Sequence, residues 1–180
     1  MSAIDDAIAA NERFATETPP GEAAAKPSRG LVVVTCMDAR IDVPAVLGLG
    51  NGEAHVLRNA GGVVSDDVIR SLAISQRKLG TREVMLIHHT NCGMETISDD
   101  GFSTELQEET GLAPDFPIES FADVESDVRA SIEKVRRSPF LPHRDNVRGF
   151  VYDVSDGRLR EVHPDPTAET NSQLRRVRRS

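Results

Sequence analysis

Two cysteines and one histidine are the residues of this 180-residue chain with the clearest capacity for chemistry. Cys36 and Cys92 are its only cysteines, and His89 stands three residues before Cys92. Each cysteine follows an apolar run, at residues 31–35 and 84–87 respectively. Two thiolates and an imidazole are donors that suit a zinc ion. The sequence therefore predicts a zinc site assembled from two separate segments.

The fourth coordination position decides what such a zinc ion can do. A structural site closes that position with a fourth protein ligand, whereas a catalytic site leaves it to water. The chain has no third cysteine, and Asp38 is the only nearby candidate. Arg40 stands two residues later, so in an extended segment it points to the same side and can hold the Asp38 carboxylate off the metal. Both arrangements of Asp38 stay open at this stage.

The two cysteines also have interpretations that involve no metal. Free cysteines are often simply buried, but the nearby histidine, aspartate and arginine disfavour that interpretation here. The 55 residues between Cys36 and Cys92 lack the local geometry of a Cys-x-x-Cys redox pair. His88 would point to the opposite face of a strand from His89, whose spacing to Cys92 is the one expected of a metal ligand. We therefore assign the zinc ion to His89.

The hydrophobic pattern predicts an α/β domain in which strands alternate with helices. Strands are predicted at residues 31–36, 54–57, 84–88 and 147–154, followed by a short antiparallel edge strand at 158–162. Helices are predicted at residues 65–79, 104–109 and 118–137, with a short helical turn at 43–47. One ion can bind Cys36 and Cys92 only if the first and third strands end close together. This constraint predicts a mainly parallel sheet of order 2-1-3-4, flanked by helices.

The ends of the chain differ from this central pattern. Residues 1–28 are predicted to be an N-terminal helical arm and linker, residues 29–163 the catalytic domain, and residues 164–180 a disordered tail. The arm has only a thin apolar stripe, formed by Ile4, Ile8 and Phe14. Such a helix is marginal alone and needs a surface to pack on, for which a partner subunit is one candidate.

Charge and hydropathy exclude some partners. The formal net charge of -8 argues against a nucleic-acid binder, which needs a basic face. No apolar run reaches the length of a membrane span, so no membrane partner is expected. Acidic residues near the start stand where a signal peptide would carry basic ones, which predicts a cytoplasmic protein with reduced cysteines.

The motifs C-x-D-x-R at residues 36–40 and H-x-x-C-G at residues 89–93 together resemble the β-class carbonic anhydrases. The resemblance extends over residues 31–162 and includes the run Arg-Asn-Ala-Gly at 58–61. It implies one zinc ion per subunit. The residues that it implies are the zinc ligands Cys36, His89 and Cys92, and the catalytic pair Asp38 and Arg40.

The reaction implied by this resemblance is the reversible hydration of carbon dioxide to bicarbonate and a proton by metal-bound hydroxide. The family also implies a homodimer or a dimer of dimers, in which the N-terminal helix embraces the neighbour. One alternative on the same fold is hydrolysis of carbonyl sulfide or carbon disulfide. Another is a non-catalytic zinc-binding assembly or regulatory protein in which Asp38 permanently closes the metal site. Asn91 departs from the family, since many members have aspartate there.

Overall fold

The computed structural model describes residues 2–17, 21 and 24–163. The predicted tail at 164–180 lies outside the described residues, and the proposed domain boundaries stay a prediction. The elements in chain order are α1 (Ala3–Glu17), β1 (Leu31–Cys36), α2 (Val43–Leu47), β2 (Ala54–Asn59), α3 (Asp66–Leu79), β3 (Glu83–His89), α4 (Asp99–Thr110), α5 (Val124–Arg137), β4 (Val147–Tyr152) and β5 (Leu159–Val162). Short 3₁₀ turns at Ala60–Gly62 and Gly93–Glu95 follow β2 and β3.

The five strands form one sheet of order β2-β1-β3-β4-β5. The first four strands are parallel, and β5 pairs antiparallel with β4 at the edge. The predicted strand order is therefore confirmed. Because β1 and β3 are parallel neighbours, the residues that follow them emerge at the same edge of the sheet, where open α/β sheets bind their ligands.

Hydrophobic cores cover both faces of the sheet. The first core includes Val32 and Leu86 and lies between the sheet and helices α3 and α5. The second core includes Val33 and Ile87 and contains both cysteines. Burial on both faces explains why β1 and β3 are almost continuously apolar in sequence. It also means that the cysteines lie in an apolar layer.

Helix α3 begins and ends where the sequence predicts. The Ser65 side chain accepts a hydrogen bond from the main-chain N–H of Val68, which caps the first turn. Gly80 ends the helix in the left-handed conformation, with φ of 75°. Leu72, in the middle of the helix, is fully buried against the sheet.

Helix α5 is shorter than predicted, since it begins at Val124 rather than at residue 118. The Asp123 side chain accepts a hydrogen bond from the N–H of Ser126 and thereby fixes the N-terminus. Phe121 precedes this cap, and its N–H donates to the carbonyl of Met94. Helix α4 is longer than predicted, because Ser98 caps a first turn that already begins at Asp99.

Helix α1 has no buried residue. Its apolar side chains Ile4, Ile8 and Phe14 are 72%, 55% and 50% exposed. The helix thus presents the predicted thin apolar stripe to its surroundings. Within the described residues, no helix has the length and hydropathy needed to cross a membrane.

Candidate metal centre

Three side chains converge at the edge of the sheet where β1 and β3 end. One donor atom from each of Cys36, His89 and Cys92 lies within 4.8 Å of the other two. Cys36 and Cys92 are 5% and 3% exposed, and His89 is fully buried. Cys36 and His89 are the last residues of their strands, and Cys92 follows on the loop after β3. The pairing of β1 with β3 therefore brings together donors that are remote in sequence.

A hydrogen bond to the main chain orients the His89 ring. Its Nδ1 lies 2.9 Å from the carbonyl oxygen of Thr90. Because a carbonyl only accepts hydrogen bonds, Nδ1 carries a proton, and Nε2 is the ring nitrogen left to bind a metal. His89 Nε2 is buried and has no hydrogen-bond partner. Such unsatisfied buried atoms are rare in proteins, and a metal ion bound to Nε2 would satisfy this one.

The two thiols differ in how easily they lose a proton. Burial raises the pKa of Cys92 to about 11. Burial is the largest influence on Cys36 and disfavours its thiolate, but the His89 ring and main-chain hydrogen bonds from Asp38 and Gly61 together outweigh it, so the pKa of Cys36 lies below its ordinary value. A coordinating metal ion deprotonates thiols outright. Two thiolates and a neutral imidazole match the donor chemistry of zinc.

Asp38 lies beside these donors and is held by Arg40. Arg40 Nε donates to Asp38 Oδ1 at 2.9 Å, and Nη2 donates to Oδ2 at 2.6 Å. These hydrogen bonds, opposed by partial burial, hold the pKa of Asp38 well below its usual range. Asp38 Oδ2 is 3.6 Å from His89 Nε2, although Asp38 is not part of the group of mutually close donors. The carboxylate is thus ionised, oriented and adjacent to the three donors.

Arg40 also connects the two loops that form the site. Its Nη2 donates to the carbonyl oxygen of Asn91 at 3.0 Å. Asn91 has a φ of 54°, in the left-handed region that asparagine tolerates better than most residues. One guanidinium therefore joins the Asp38 carboxylate after β1 to the main chain between His89 and Cys92.

A second arginine contacts the main chain of the site from strand β2. Arg58 Nε donates to the carbonyl of Cys36 at 3.0 Å, and Nη2 donates to the carbonyl of Asp38 at 2.6 Å. In the sequence, Arg58 is notable only as part of the run Arg-Asn-Ala-Gly that resembles the family. Arg58 reaches the site through the β1–β2 register, in which it pairs with Thr35, and the sequence does not reveal that register.

The 3₁₀ turn after β2 packs directly on the end of β1. Gly62 has a φ of 73°, and a Cβ atom at this position would lie 2.8 Å from the main-chain nitrogen of Cys36. Only glycine combines this backbone conformation with so close an approach. The turn thereby supports Cys36 from the side of β2.

His88 lies on the other face of the sheet from His89. It is fully buried, and its Nε2 lies 2.6 Å from an Asp127 carboxylate oxygen on α5. Its ring also packs near Phe121, with the ring centroids 5.6 Å apart. His88 therefore joins helix α5 to the sheet and takes no part in the donor group.

Comparison with known proteins gives consistent matches over most of the chain. Residues 31–159 match the family model described as carbonic anhydrase. Beta-carbonic anhydrase 1 of Mycobacterium tuberculosis (strain H37Rv) is 51% identical over 164 residues, which cover 91% of this chain and 100% of that protein. Carbon disulfide hydrolase of Acidithiobacillus thiooxidans is 33% identical over 156 residues, which cover 76% of this chain and 78% of that protein.

A solved structure agrees with these sequence matches. The carbonic anhydrase from Streptococcus mutans superposes with a TM-score of 0.85 at 41% sequence identity. The match covers 91% of this chain and 99% of that one. The fold of this chain is thus similar to that of a solved carbonic anhydrase over nine-tenths of its length.

Proposed function

The chain belongs to the β-carbonic anhydrase family, and from that premise we propose that it catalyses the reversible hydration of carbon dioxide to bicarbonate and a proton. The observation that carries this proposal is the group of three buried donors beside an aspartate that Arg40 holds. In the proposed enzyme Cys36, His89 and Cys92 hold one zinc ion per subunit. Bound zinc supplies a hydroxide nucleophile at neutral pH, because it lowers the pKa of coordinated water to about 7.

The proposed role of Asp38 is to orient the nucleophile. Asp38 Oδ2 faces the donor group and is ionised, so it accepts hydrogen bonds and donates none. A water or hydroxide held beside the donors by the zinc ion would therefore donate a hydrogen bond to Asp38. Ligands without a donor hydrogen are disfavoured there. Asp38 would thereby orient the nucleophile that the bound zinc ion supplies.

The hydrogen bonds of Asp38 favour an open site over a permanently closed one. Both carboxylate oxygens are engaged by Arg40, and the main-chain N–H of Arg40 adds a third hydrogen bond to Oδ1 at 2.9 Å. A carboxylate that moved onto the metal would have to give up part of this charge-assisted pairing. The pairing of Asp38 with Arg40 therefore supports an enzyme over a non-catalytic zinc-binding assembly or regulatory protein.

Hydrolysis of carbon disulfide or carbonyl sulfide is the second candidate, because a carbon disulfide hydrolase is among the relatives. The same nucleophile would attack the carbon of these linear molecules. The higher identity to a β-carbonic anhydrase supports carbon dioxide as the substrate. Comparing kcat/KM for carbon dioxide, carbonyl sulfide and carbon disulfide on one zinc-loaded preparation separates the two candidates.

We further propose a homodimer or a dimer of dimers that works in the cytoplasm. The exposed apolar side chains of α1 support an assembly in which this helix packs on a neighbouring subunit. A reducing compartment supports the site, because its two thiols must stay reduced to bind a metal.

The test of the proposed reaction is stopped-flow measurement of carbon dioxide hydration by protein of known zinc content. We expect the zinc-loaded protein to exceed the Cys92→Ser variant by at least about 100-fold, because that variant lacks one metal ligand. Equal rates from the two proteins, with one zinc ion bound to the wild-type subunit, would contradict carbonic anhydrase activity. Four protein ligands in the zinc X-ray absorption spectrum, together with absent activity, would support the non-catalytic alternative.

A further inference from the structure

The segment from Cys36 to Asp38 lies where β1 leaves the sheet. The β1–β3 ladder has its last pair at Thr35 and Ile87, one residue before Cys36. On the other side, the N–H of Met37 still donates to the carbonyl of Asn59 at 2.8 Å. Beyond these pairs the sheet no longer determines the path of the chain. Other contacts must fix how far the Asp38 carboxylate lies from the donor group.

Arg58 supplies such contacts from the neighbouring strand. Its planar guanidinium spans the carbonyls of Cys36 and Asp38, with distances of 3.0 and 2.6 Å. The first carbonyl belongs to a proposed metal ligand, and the second belongs to the residue that faces the metal position. A fork of two fixed N–H groups sets the relative position of two acceptors, which a single ammonium cannot do. Arg58 thus links the main chain of Cys36 to that of Asp38.

Two different arginines consequently hold the side chain and the main chain of Asp38. Arg40 binds the carboxylate, and Arg58 binds the main-chain carbonyl. The carboxylate oxygen nearest the donors is only 3.6 Å from His89 Nε2. A small rotation of the Asp38 main chain would therefore bring the carboxylate within reach of a metal bound to Nε2. The hydrogen bond from Arg58 opposes that rotation.

We propose that Arg58 is a positioning residue that keeps the Asp38 carboxylate on Arg40 and out of the coordination sphere of the metal. The proposal rests on the metal site of the proposed function and adds a residue to it. The hydrogen bonds of Arg58 go to main-chain carbonyls and not to the donor side chains, so its effect passes through the main chain of Cys36 and Asp38. Its side chain is exposed, so its removal opens no cavity in the core.

The test replaces zinc with cobalt(II), whose visible absorption spectrum reports the ligands of the metal. In Arg58→Ala we expect Asp38 to enter the coordination sphere and the cobalt spectrum to change. In the Asp38→Ala background the same Arg58→Ala change should leave the spectrum unaltered, because no carboxylate is present to bind. We also expect kcat/KM of the zinc-loaded Arg58→Ala protein to fall by about 10–100-fold, the usual effect of losing an outer-shell partner.

Two further variants separate positioning from charge and from folding. Arg58→Lys keeps the charge without the two-pronged geometry, so we expect it to resemble Arg58→Ala in its cobalt spectrum. Arg77→Ala is the matched control, because Arg77 is an exposed arginine that donates to the Phe140 carbonyl at 2.9 Å, away from the site. We expect its spectrum and kcat/KM to match those of the wild type.

The outcomes that overturn the proposal are specific. A cobalt spectrum of Arg58→Ala that superposes on that of the wild type would overturn it. A spectral change that persists without Asp38 would overturn it as well, since Arg58 would then act on the ligands themselves. Failure of wild-type carbon dioxide hydration would instead count against the proposed function. The cobalt spectra would still decide the role of Arg58 in that case.

Discussion

At the scale of single residues, Asp38 determines how the site can work, because its carboxylate has two competing partners. One partner is the guanidinium of Arg40, and the other would be a metal ion held by the three donors, of which His89 Nε2 is 3.6 Å from the carboxylate. The hydrogen bonds of Arg40 lower the pKa of Asp38, so the carboxylate stays charged over the whole range in which the enzyme would operate. Since the carboxylate stays charged, what can change is its position, and Arg40 controls whether it lies on the guanidinium or on the metal.

Replacing Arg40 tests this control directly. In Arg40→Ala the carboxylate loses its two-pronged partner, and we expect it to bind the metal in place of water. Zinc content should stay at one ion per subunit, while the carbon dioxide hydration rate should fall by about 10–100-fold. Stopped-flow assays and elemental analysis of the same sample measure both quantities.

The conservative variant Arg40→Lys is the control for this experiment. It keeps the positive charge with a single donor group, so its rate should lie between those of the wild type and Arg40→Ala. A crystal structure of Arg40→Ala in which a water molecule binds the zinc ion and Asp38 stays unbound would contradict the expected displacement.

The residues of the site differ in how well a sequence can reveal them. The three donors form a recognisable set because few residue types bind zinc, and their spacing is characteristic. Arg58 acts on main-chain carbonyls, which every residue possesses, so its partners leave no trace in the sequence. Only the register of β2 against β1 brings Arg58 to the site, and strand register is a property of the folded sheet.

At the scale of elements, the start of α5 illustrates a limit of periodicity. Phe121 stands at helical spacing from Val124 and Val128, so the pattern extends the predicted helix backwards to residue 118. In the structure Phe121 is buried beside His88, ahead of the helix. A hydrophobic residue at helical spacing can be buried whether its backbone is helical or not, so periodicity alone cannot locate the first residue of the helix. The Asp123 cap does locate it.

The glycine turn after β2 yields a prediction for the support of Cys36. In Gly62→Ala the new Cβ would lie 2.8 Å from the Cys36 nitrogen, in addition to the cost of a positive φ. The left-handed conformation alone costs an alanine about 1–2 kcal/mol, and overpacking adds about 1–3 kcal/mol. We expect urea unfolding to give a lower free energy of unfolding and metal titration to give a weaker affinity.

Gly111→Ala provides the matched control. Gly111 has a similar φ of 77°, but a Cβ atom there would meet nothing within 4 Å. Subtracting its effect from that of Gly62→Ala isolates the contact with Cys36. Equal losses of stability in the two variants, with unchanged metal affinity in both, would contradict a supporting role for the turn.

At the scale of the whole molecule, the order of the central strands could be deduced from the metal site itself. One ion cannot reach donors on distant strands, so Cys36 and Cys92 require β1 and β3 to be adjacent. The arm is different, because its sequence predicts a helix but not the surface on which it packs. In the proposed assembly that surface belongs to a second subunit, which the sequence of one chain does not describe.

Replacing the apolar side chains of the arm tests the proposed assembly. In a variant with Ile8→Ser and Phe14→Ser, we expect a shift towards smaller species in sedimentation velocity, because the apolar contact area on α1 is reduced. Leu112→Ser is the control, since Leu112 is an apolar residue that is 75% exposed outside the arm. An unchanged sedimentation coefficient in the arm variant would argue against α1 as part of the assembly.

The adjacent histidines at the end of β3 have a consequence for how this sequence tolerates change. An insertion of one residue within β3 would exchange the faces of His88 and His89, yet each face would still receive an imidazole. Imidazole chemistry alone therefore cannot distinguish the correct alignment from the shifted one. The apolar residues of β3 make that distinction. Val84 and Leu86 pack in the first core and Ile87 packs in the second, so the shift would place a side chain in the wrong core. The correct alignment of the metal site thus depends on apolar residues of β3 that are not metal ligands.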